Sequence, residues 1–275
     1  MVDVDSMLTK NVSPLRYPGG KTRACKVLDE IVQANFDLST IDNLVSPFMG
    51  GGSFEFYFQN KYKKELIVND KFAPLYNFWL QVKTNKRQLC DELRKMPTVS
   101  KDEFTNYRNT ILGLADNVIE QAKLYFIINR CSFSGATLSG GYSEEASKKR
   151  YTASSIDRVE ALDLSHMTIY NDDFEPFLCE HTTSKSFIFL DPPYYLQKKS
   201  NLYGNNGDMH EKFDHNKLFD VIKNKTNWLM TYNNCEYIRE LYKQYVIIEV
   251  DWNYGMNKSK LSSEIVILSI LRDIC

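Results

Sequence analysis

Residues 186–190, Ser-Phe-Ile-Phe-Leu, run directly into Asp-Pro-Pro-Tyr at residues 191–194, and this junction constrains the fold strongly. The short apolar run predicts a strand buried in a parallel sheet. Two prolines fix φ, remove two N–H donors and keep the residue before each of them extended, so the chain cannot continue as sheet or enter a helix at once. The sequence therefore predicts a stiff, exposed corner at the carboxyl end of a strand, where open α/β sheets bind their ligands.

This corner offers three groups to a ligand: the Asp191 carboxylate, the Pro192 carbonyl and the aromatic face of Tyr194. The two oxygens would accept the two hydrogens of an exocyclic amine on a flat base, and the ring would stack on that base. The alternative interpretation of these four residues is a plain strand-to-loop turn, in which Asp191 accepts hydrogen bonds from nearby backbone groups.

Two glycine turns each precede a segment with helical periodicity. Residues 14–21, Pro-Leu-Arg-Tyr-Pro-Gly-Gly-Lys, form a tight loop whose N–H groups and Lys21 favour an anion. Residues 49–53, Met-Gly-Gly-Gly-Ser, predict a strand–turn–helix junction where a ligand can approach the backbone closely. The spacing matches neither the dinucleotide fingerprint nor a Walker motif. The alternatives are a simple turn with a solvated lysine and a structural left-handed turn.

Acidic residues follow two further predicted strands. Asp70 comes after residues 65–68, about 20 residues beyond the glycines, at the position where such units accept hydrogen bonds from ribose hydroxyls. Asp173 and Phe174 follow residues 168–170 and offer an acid and an aromatic face to a purine. Each acid also suits the N-cap of the helix that comes next, and this alternative stays open.

Between residue 72 and about residue 162 the pattern becomes mainly helical and is too long for a single crossover. The sequence therefore predicts a domain formed by residues 1–71 and 163–275, with residues 72–162 as an inserted helical subdomain. Further on, the Asn- and Gly-rich residues 197–212 have the composition of a mobile lid.

Within this predicted insertion, residues 131–142 form a loop of small residues around Phe133, for which we expect a hairpin. The basic run Lys148-Lys149-Arg150 follows. Three like charges are usually a solvated surface, but beside an exposed aromatic loop they become candidates for phosphate contacts.

Composition excludes several classes of protein. The net charge of −1 excludes a uniformly basic nucleic-acid binder, so that any nucleic-acid contact must be local. The six cysteines include no Cys-x-x-Cys pair, which argues against a zinc site and a disulfide framework and favours a reducing cytoplasm. No apolar run approaches the ~20 residues needed to cross a bilayer, so we expect no membrane association.

The ordered set of these motifs resembles the Dam-type (D12 class) N6-adenine DNA methyltransferases from about residue 13 to the end. The matching segments are Tyr17-Pro18-Gly19-Gly20-Lys21, Phe48-Met49-Gly50-Gly51-Gly52, Asn69-Asp70, Asn129-Arg130, Asp173-Phe174 and Asp191-Pro192-Pro193-Tyr194. The resemblance implies an α/β, Rossmann-like methyltransferase domain in which residues 72–162 recognise the target. It implies transfer of a methyl group from S-adenosyl-L-methionine to N6 of an adenine flipped out of double-stranded DNA, without a metal.

The resemblance also implies roles for individual residues. The cofactor would contact Tyr17, Gly20, Lys21, Phe48, Gly50, Gly52, Asp70, Asp173, Phe174 and Asp191. Asp191, Pro192 and Tyr194 would carry catalysis. DNA would contact Arg130, Phe133, Ser134, Thr137, Ser139, Lys148, Lys149 and Arg150. A cognate restriction endonuclease would be a partner in a bacterial or phage-infected cell, while the oligomeric state is left open.

Two departures from the family pattern argue against a GATC target. The family often has Asn where Ser134 stands, and its best-known members have an arginine near Leu138 that reads a guanine. Two alternatives to adenine methylation also stay open. One is methylation of another planar amine, such as cytosine N4 or a glutamine side chain, and the other is a non-catalytic DNA-binding relative with the same fold.

Overall fold

The computed structural model of the protein describes residues 11–17, 19–195, 213–250 and 264–272. The lid expected at residues 197–212 lies outside these ranges. In them the chain forms one seven-stranded sheet and eleven α-helices. None of these described helices combines the length and apolar character needed to cross a bilayer.

The sheet has the strand order β3-β2-β1-β4-β5-β7-β6. Strands β1 to β5 pair in parallel, whereas β7 lies antiparallel between β5 and β6. The strands are β1 Asn43–Ser46, β2 Glu65–Asn69, β3 Met167–Tyr170, β4 Ser186–Leu190, β5 Trp228–Asn233, β6 Tyr245–Val250 and β7 Glu264–Leu271. The chain runs outward from β1 to β3 and then returns to β4 beside β1. This reversal creates the switch point at which open α/β sheets bind ligands, and it confirms the predicted Rossmann-like fold class.

The helices cover the faces of the sheet and fill the long connection between β2 and β3. They are α1 Cys25–Asn35, α2 Ser53–Tyr62, α3 Ala73–Thr84, α4 Lys86–Arg94, α5 Lys101–Thr110, α6 Val118–Cys131, α7 Glu144–Lys149, α8 Ala153–Glu160, α9 Phe174–His181, α10 His215–Ile222 and α11 Glu236–Leu241. Six of them, α3 to α8, lie between β2 and β3. Buried side chains of α3, α4, α5, α6 and α8 join the same hydrophobic core as those of α1 and α2.

Strand β4 is buried along its whole length, as its continuous apolar run predicts. Its side chains alternate between two cores. Phe187 and Phe189 face α2, where the Phe187 ring stacks on Phe58 at 5.6 Å and the Phe189 ring lies 4.4 Å from Phe54. Ile188 and Leu190 belong to the core on the opposite side. Burial on both faces fixes the end of β4, and with it the Asp-Pro-Pro-Tyr corner.

Asn69, which is 1% exposed, ties together the ends of three strands. Its Nδ2 donates to the carbonyls of Pro47 at 3.1 Å and Asp172 at 3.0 Å, and its Oδ1 accepts from the Asp172 N–H at 2.7 Å. Its own carbonyl accepts from the Met49 N–H at 2.9 Å. The tips of β1, β2 and β3 are therefore held in one arrangement.

We expect Asn69→Ala to lower the free energy of unfolding by about 2–4 kcal/mol, because it leaves several buried backbone groups without partners. Asn171→Ala is the matched control, since its exposed side chain donates one hydrogen bond to the Asp70 carbonyl. This control should cost less than about 1 kcal/mol. Urea denaturation measures both, and equal losses in the two variants would contradict the tying role of Asn69.

Candidate active site

A cavity of about 750 Å³ opens at the carboxyl ends of the parallel strands. It brings together every residue predicted to hold a cofactor, namely Tyr17, Gly20, Lys21, Phe48, Gly50, Gly52, Asp70, Asp173, Phe174 and Asp191. Pro192 and Tyr194 line the same cavity, as does Thr137 of the predicted DNA-binding loop. Residues that lie far apart along the chain thus share one concave surface.

The glycine turn after β1 forms one wall of the cavity. Gly50 and Gly52 have φ values of +51° and +68°, a conformation that glycine adopts without strain. A side chain at Gly50 would also collide with Tyr17, because a Cβ there would lie 2.9 Å from the Tyr17 ring. The Gly50 carbonyl accepts from Trp79 Nε1 at 3.1 Å. The turn is therefore fixed from both sides, with its backbone close to the cavity.

Asp70 lies at the tip of β2 and faces the cavity while binding the backbone. Its two carboxylate oxygens accept from the N–H groups of Gly50 and Phe72, both at 2.9 Å. Burial raises the pKa of Asp70 to about 6, although the two N–H groups oppose that rise. A carboxylate oxygen accepts more than one hydrogen bond, so Asp70 can cap these backbone groups and still bind hydroxyls of a ligand.

The far end of the cavity is aromatic. Phe174 lies 5.8 Å from Phe48 and 5.4 Å from Phe213 between ring centroids. Asp173, the N-cap of α9, forms an ion pair with Lys71 at 2.6 Å. Burial is the largest single effect and opposes ionisation of Asp173, but the hydrogen bonds from Lys71 and the Glu175 N–H and the nearby lysine charges together outweigh it and lower its pKa. An acid beside an aromatic wall suits a flat heterocycle that carries an amino group.

Lys21 anchors the Asp-Pro-Pro-Tyr corner. Its ammonium lies 2.9 Å from Asp191 Oδ1 and 2.9 Å from the Tyr194 hydroxyl, and the side chain is 4% exposed. The same Asp191 oxygen accepts from the Thr231 hydroxyl at 2.5 Å, and the Tyr194 hydroxyl donates to Glu264 Oε2 at 2.7 Å. Both functional side chains of the corner are thus held by partners from other elements.

Sequence reasoning missed Thr231, Glu264 and Glu55 as site residues. Thr231 and Glu264 lie 40 and 70 residues beyond their partners Asp191 and Tyr194, so no local pattern marks them. Glu55 lines the cavity and is 2% exposed, and its Oε1 accepts from the Ser46 hydroxyl at 2.7 Å. It lies in the aromatic segment Phe-Glu-Phe, where one acid among buried apolar residues gives no functional signal.

The loop expected to be a hairpin pairs with itself in antiparallel fashion only at its base, where the Phe133 N–H donates to the Gly141 carbonyl and the Ser143 N–H to the Cys131 carbonyl. One isolated bridge joins Ser132 and Tyr142, and two 3₁₀ turns, Phe133–Gly135 and Thr137–Ser139, lie between them. The cause is local, because Ser134, Gly135 and Thr137 have positive φ values of 55°, 74° and 47° and turn the chain away from strand geometry. Phe133 stands at the outer surface, 67% exposed.

Asn129 anchors this loop to the N-terminal segment. Its amide accepts from the Arg16 N–H at 2.9 Å and donates to the carbonyls of Arg16 and Gly135 at 2.6 and 3.4 Å. Gly135 packs directly on Arg16, since a Cβ there would lie 2.5 Å from the Arg16 carbonyl oxygen. The loop that exposes Phe133 therefore has a fixed base beside the cavity.

Arg130 is 7% exposed and is bonded to the backbone. Its guanidinium donates to the carbonyls of Arg150 at 2.7 Å and Pro14 at 3.0 Å. Burial, followed by the nearby guanidinium groups of Arg16, Arg158 and Arg150, lowers the pKa of Arg130 to about 10. Arg130, at the end of α6, therefore caps carbonyls of two other segments of the chain.

The remaining predicted DNA contacts lie around the loop. Lys148 and Lys149 are exposed on α7 and pair with Glu144 at 2.6 Å and Glu145 at 3.1 Å. Surface pairs of this kind contribute little to stability and exchange readily for other partners. Arg150 is exposed, and Ser134 and Ser139 are half-buried, with the Ser139 hydroxyl donating to the Ala136 carbonyl at 2.8 Å.

Comparison with known proteins adds independent observations. The model of the D12 class N6 adenine-specific DNA methyltransferase family matches residues 17–256. The chain is 25% identical over 259 residues to Type II methyltransferase M.CviBI of Paramecium bursaria Chlorella virus NC1A, covering 91% of this chain and 95% of that protein. It is 23% identical over 269 residues to Type II methyltransferase M.MjaIII of Methanocaldococcus jannaschii, covering 86% of this chain and 89% of that protein.

We expect Gly135→Ala to destabilise the protein by about 1–3 kcal/mol, because alanine is strained at positive φ and its Cβ collides with Arg16. Gly141→Ala is the matched control in the same loop, where a Cβ meets nothing within 4 Å. Its effect should stay within about 0.5 kcal/mol. Thermal unfolding compares the two variants, and a Gly135→Ala protein as stable as the control would contradict the close packing on Arg16.

Proposed function

This chain belongs to the D12 class of N6 adenine-specific DNA methyltransferases, and we propose that it transfers the methyl group of S-adenosyl-L-methionine to an adenine flipped out of duplex DNA. One observation carries the proposal. The Asp-Pro-Pro-Tyr corner opens into the same cavity as Asp70, Asp173 and the glycine turn. A methyl donor and a target amine can therefore meet in one place, as transfer between them requires.

The cavity residues fit the proposed cofactor. The volume of the cavity, about 750 Å³, lies in the range of small-molecule sites. Asp70 would accept hydrogen bonds from the ribose hydroxyls, and Asp173 with Phe174 would hold the adenine by its amino group and its face. Tyr17, Lys21 and the turn from Gly50 to Gly52 would then surround the methionine end. When bound, the cofactor supplies a methyl group activated by a sulfonium.

The corner would prepare the target amine for attack. The lone pair of adenine N6 is delocalised into the ring, which makes N6 a poor nucleophile. Hydrogen bonds from its two hydrogens to the Asp191 carboxylate and the Pro192 carbonyl favour a pyramidal nitrogen and localise the lone pair. Lys21 and Thr231 fix Asp191 before the base arrives, so little reorganisation is needed. The methylated nitrogen then loses one proton.

Tyr194 would stack on the flipped base. The target N6 lies inside the duplex, so the base must leave the stack before it can reach Asp191. The hydroxyl of Tyr194 is held by Lys21 and Glu264, which orients the ring. Tyr194 therefore contributes through its ring face, while its hydroxyl keeps that face in position.

We propose that residues 72–162 act as the target-recognition domain, and residues 1–71 with 163–275 as the catalytic domain. Phe133 would enter the base stack beside the flipped adenine, where an apolar wedge offsets part of the unstacking cost. Lys148, Lys149 and Arg150 would contact phosphates. Ser134, Thr137 and Ser139 would read the bases. Arg130 would have less freedom to reach a base, because its guanidinium already donates to two backbone carbonyls.

The biological role we propose is modification in a restriction–modification system, with a cognate restriction endonuclease as partner. Support comes from the two relatives described as type II methyltransferases. Such an enzyme would work where the DNA is, in the cytoplasm of a bacterial or phage-infected cell.

Mass spectrometry of nucleosides tests the reaction. The wild-type protein, incubated with enzymatically amplified genomic DNA and S-adenosylmethionine bearing a deuterated methyl group, should produce labelled N6-methyladenine. Labelled N4-methylcytosine would instead favour the cytosine alternative. In a separate incubation with a protein substrate, a labelled glutamine would favour the glutamine alternative. If the protein binds DNA but the DNA stays unlabelled after the incubation, the result would favour a non-catalytic relative.

We expect Asp191→Ala to reduce the methylation rate by about 10²–10⁴-fold while leaving the fold intact, because it removes an acceptor from the reacting amine. Asp172→Ala is the control, since Asp172 also lies near a strand tip but is exposed and does not line the cavity. This control should methylate at a rate near that of the wild type. Comparable rates in the wild type and Asp191→Ala would contradict the proposed role.

Phe133→Ala should lower turnover more than DNA affinity, because the wedge acts on the base stack and not on the phosphates. After the methylated sequence has been mapped, 2-aminopurine at the target position should show weaker fluorescence enhancement with this variant. Leu112→Ala, another exposed apolar side chain of the same helical region, is the control and should behave like the wild type. Undiminished enhancement with Phe133→Ala would move the wedge role to another residue.

A further inference from the structure

Glu55 places a carboxyl group at the tip of β1. Among β1 to β4, this is the strand that no acid follows directly. The tips of β2, β3 and β4 lead into Asp70, Asp173 and Asp191, whereas β1 ends in Ser46-Pro47-Phe48. The Ser46 hydroxyl donates to Glu55 Oε1 at 2.7 Å and draws the side chain from the first turn of α2 to this tip. Glu55 is 2% exposed and lines the cavity at the switch point.

The charged groups around Glu55 leave an excess of acids. Burial is the main reason that the pKa of Glu55 is raised; the charge of Asp191 at the tip of β4 raises it further, and the charge of Lys21 lowers it. The Lys21 ammonium is already shared, since it lies 2.9 Å from Asp191 and 3.9 Å from Glu264. Three carboxyl groups, those of Glu55, Asp191 and Glu264, therefore lie near one buried ammonium. A ligand that brings a positive charge would restore the balance.

We propose that Glu55, as a carboxylate, binds the α-ammonium group at the methionine end of the cofactor. The inference rests on the proposed function, in which Asp173 holds the adenine and Asp70 the ribose of the cofactor. The methionine end then lies at the glycine turn, next to Lys21 and Glu55. The methionine end carries one carboxylate and one ammonium. Lys21 and Glu55 offer one charge of each sign, so the pair would also favour the zwitterionic end over an uncharged one.

Binding should then release a proton. Burial, which outweighs the hydrogen bond from Ser46, raises the pKa of Glu55 to about 8, so the free side chain is mostly neutral at pH 7. An ammonium ligand favours the carboxylate, so binding at pH 7 should be accompanied by proton release. Affinity should rise as the pH approaches 8 from below. The Cys25 thiol of α1 also faces Glu55, but burial, followed by the Glu55 charge, raises its pKa to about 12, outside this window.

Isothermal titration with two ligands isolates the contact. S-Adenosylhomocysteine carries the amino-acid end, whereas 5′-methylthioadenosine lacks it and keeps the adenosine and the sulfur. Glu55→Gln preserves the shape of the side chain and removes its charge, so it should lower the affinity for S-adenosylhomocysteine by roughly ten- to a hundred-fold. Its affinity for 5′-methylthioadenosine should change less than about threefold, since that ligand makes no contact with Glu55.

Titration in buffers of different ionisation enthalpy adds a second readout at pH 7. The wild type should release more protons with S-adenosylhomocysteine than with 5′-methylthioadenosine. Ser46→Ala retains the carboxylate and should retain the release, whereas Glu55→Gln should lose it. The wild-type comparison between the two ligands stands by itself if Glu55→Gln does not fold.

Two results would overturn the role of Glu55 and leave the proposed function intact. One is wild-type binding of S-adenosylhomocysteine without proton release, and the other is an equal loss of affinity for both ligands in Glu55→Gln. A wild-type protein that binds neither ligand would overturn the proposed function itself, and the role of Glu55 with it.

Discussion

The Asp-Pro-Pro-Tyr corner depends on the contacts that the Lys21 ammonium makes with Asp191 and Tyr194. The ammonium joins the N-terminal glycine loop to Asp191 at the end of β4, and through Tyr194 it reaches Glu264 at the start of β7. Three parts of the chain thus meet at one buried cation. A buried ion pair costs desolvation free energy and is weak evidence for stability. Its consequence here is position, since the Asp191 carboxylate is held by Lys21 and Thr231 before any ligand binds.

The fold and most of the cavity could be predicted because their signals are local. A continuous apolar run marks β4 as buried on both faces, and the acids that follow β2, β3 and β4 mark the end of the sheet where ligands bind. Parallel strands place these ends on one side. The family resemblance added Tyr17, Gly20 and Lys21, which follow no strand, and all ten residues that it implied for the cofactor line one cavity.

The remaining features depend on contacts that the sequence does not reveal. Thr231, Glu264 and the Asn69 hydrogen bonds acquire their roles only when distant strands pair. Asp173 is the N-cap of α9 and accepts from the Glu175 N–H, whereas Asp70 is not the N-cap of α3 but accepts from the N–H groups of Gly50 and Phe72; both acids also line the cavity. The hairpin expected around Phe133 forms only at its base, between Ser132 and Tyr142, because positive φ values at Ser134 and Thr137, both unusual for such residues, bend the loop into two 3₁₀ turns.

A crystal structure of the protein with S-adenosylhomocysteine tests most directly whether a methyl donor and the Asp-Pro-Pro-Tyr corner share one cavity. The ribose hydroxyls should lie within hydrogen-bonding distance of Asp70, and the adenine should lie against Phe174. The sulfur should then point toward Asp191. A ligand bound outside this cavity, or one whose sulfur points away from Asp191, would contradict the assignment of the corner as the site of methyl transfer.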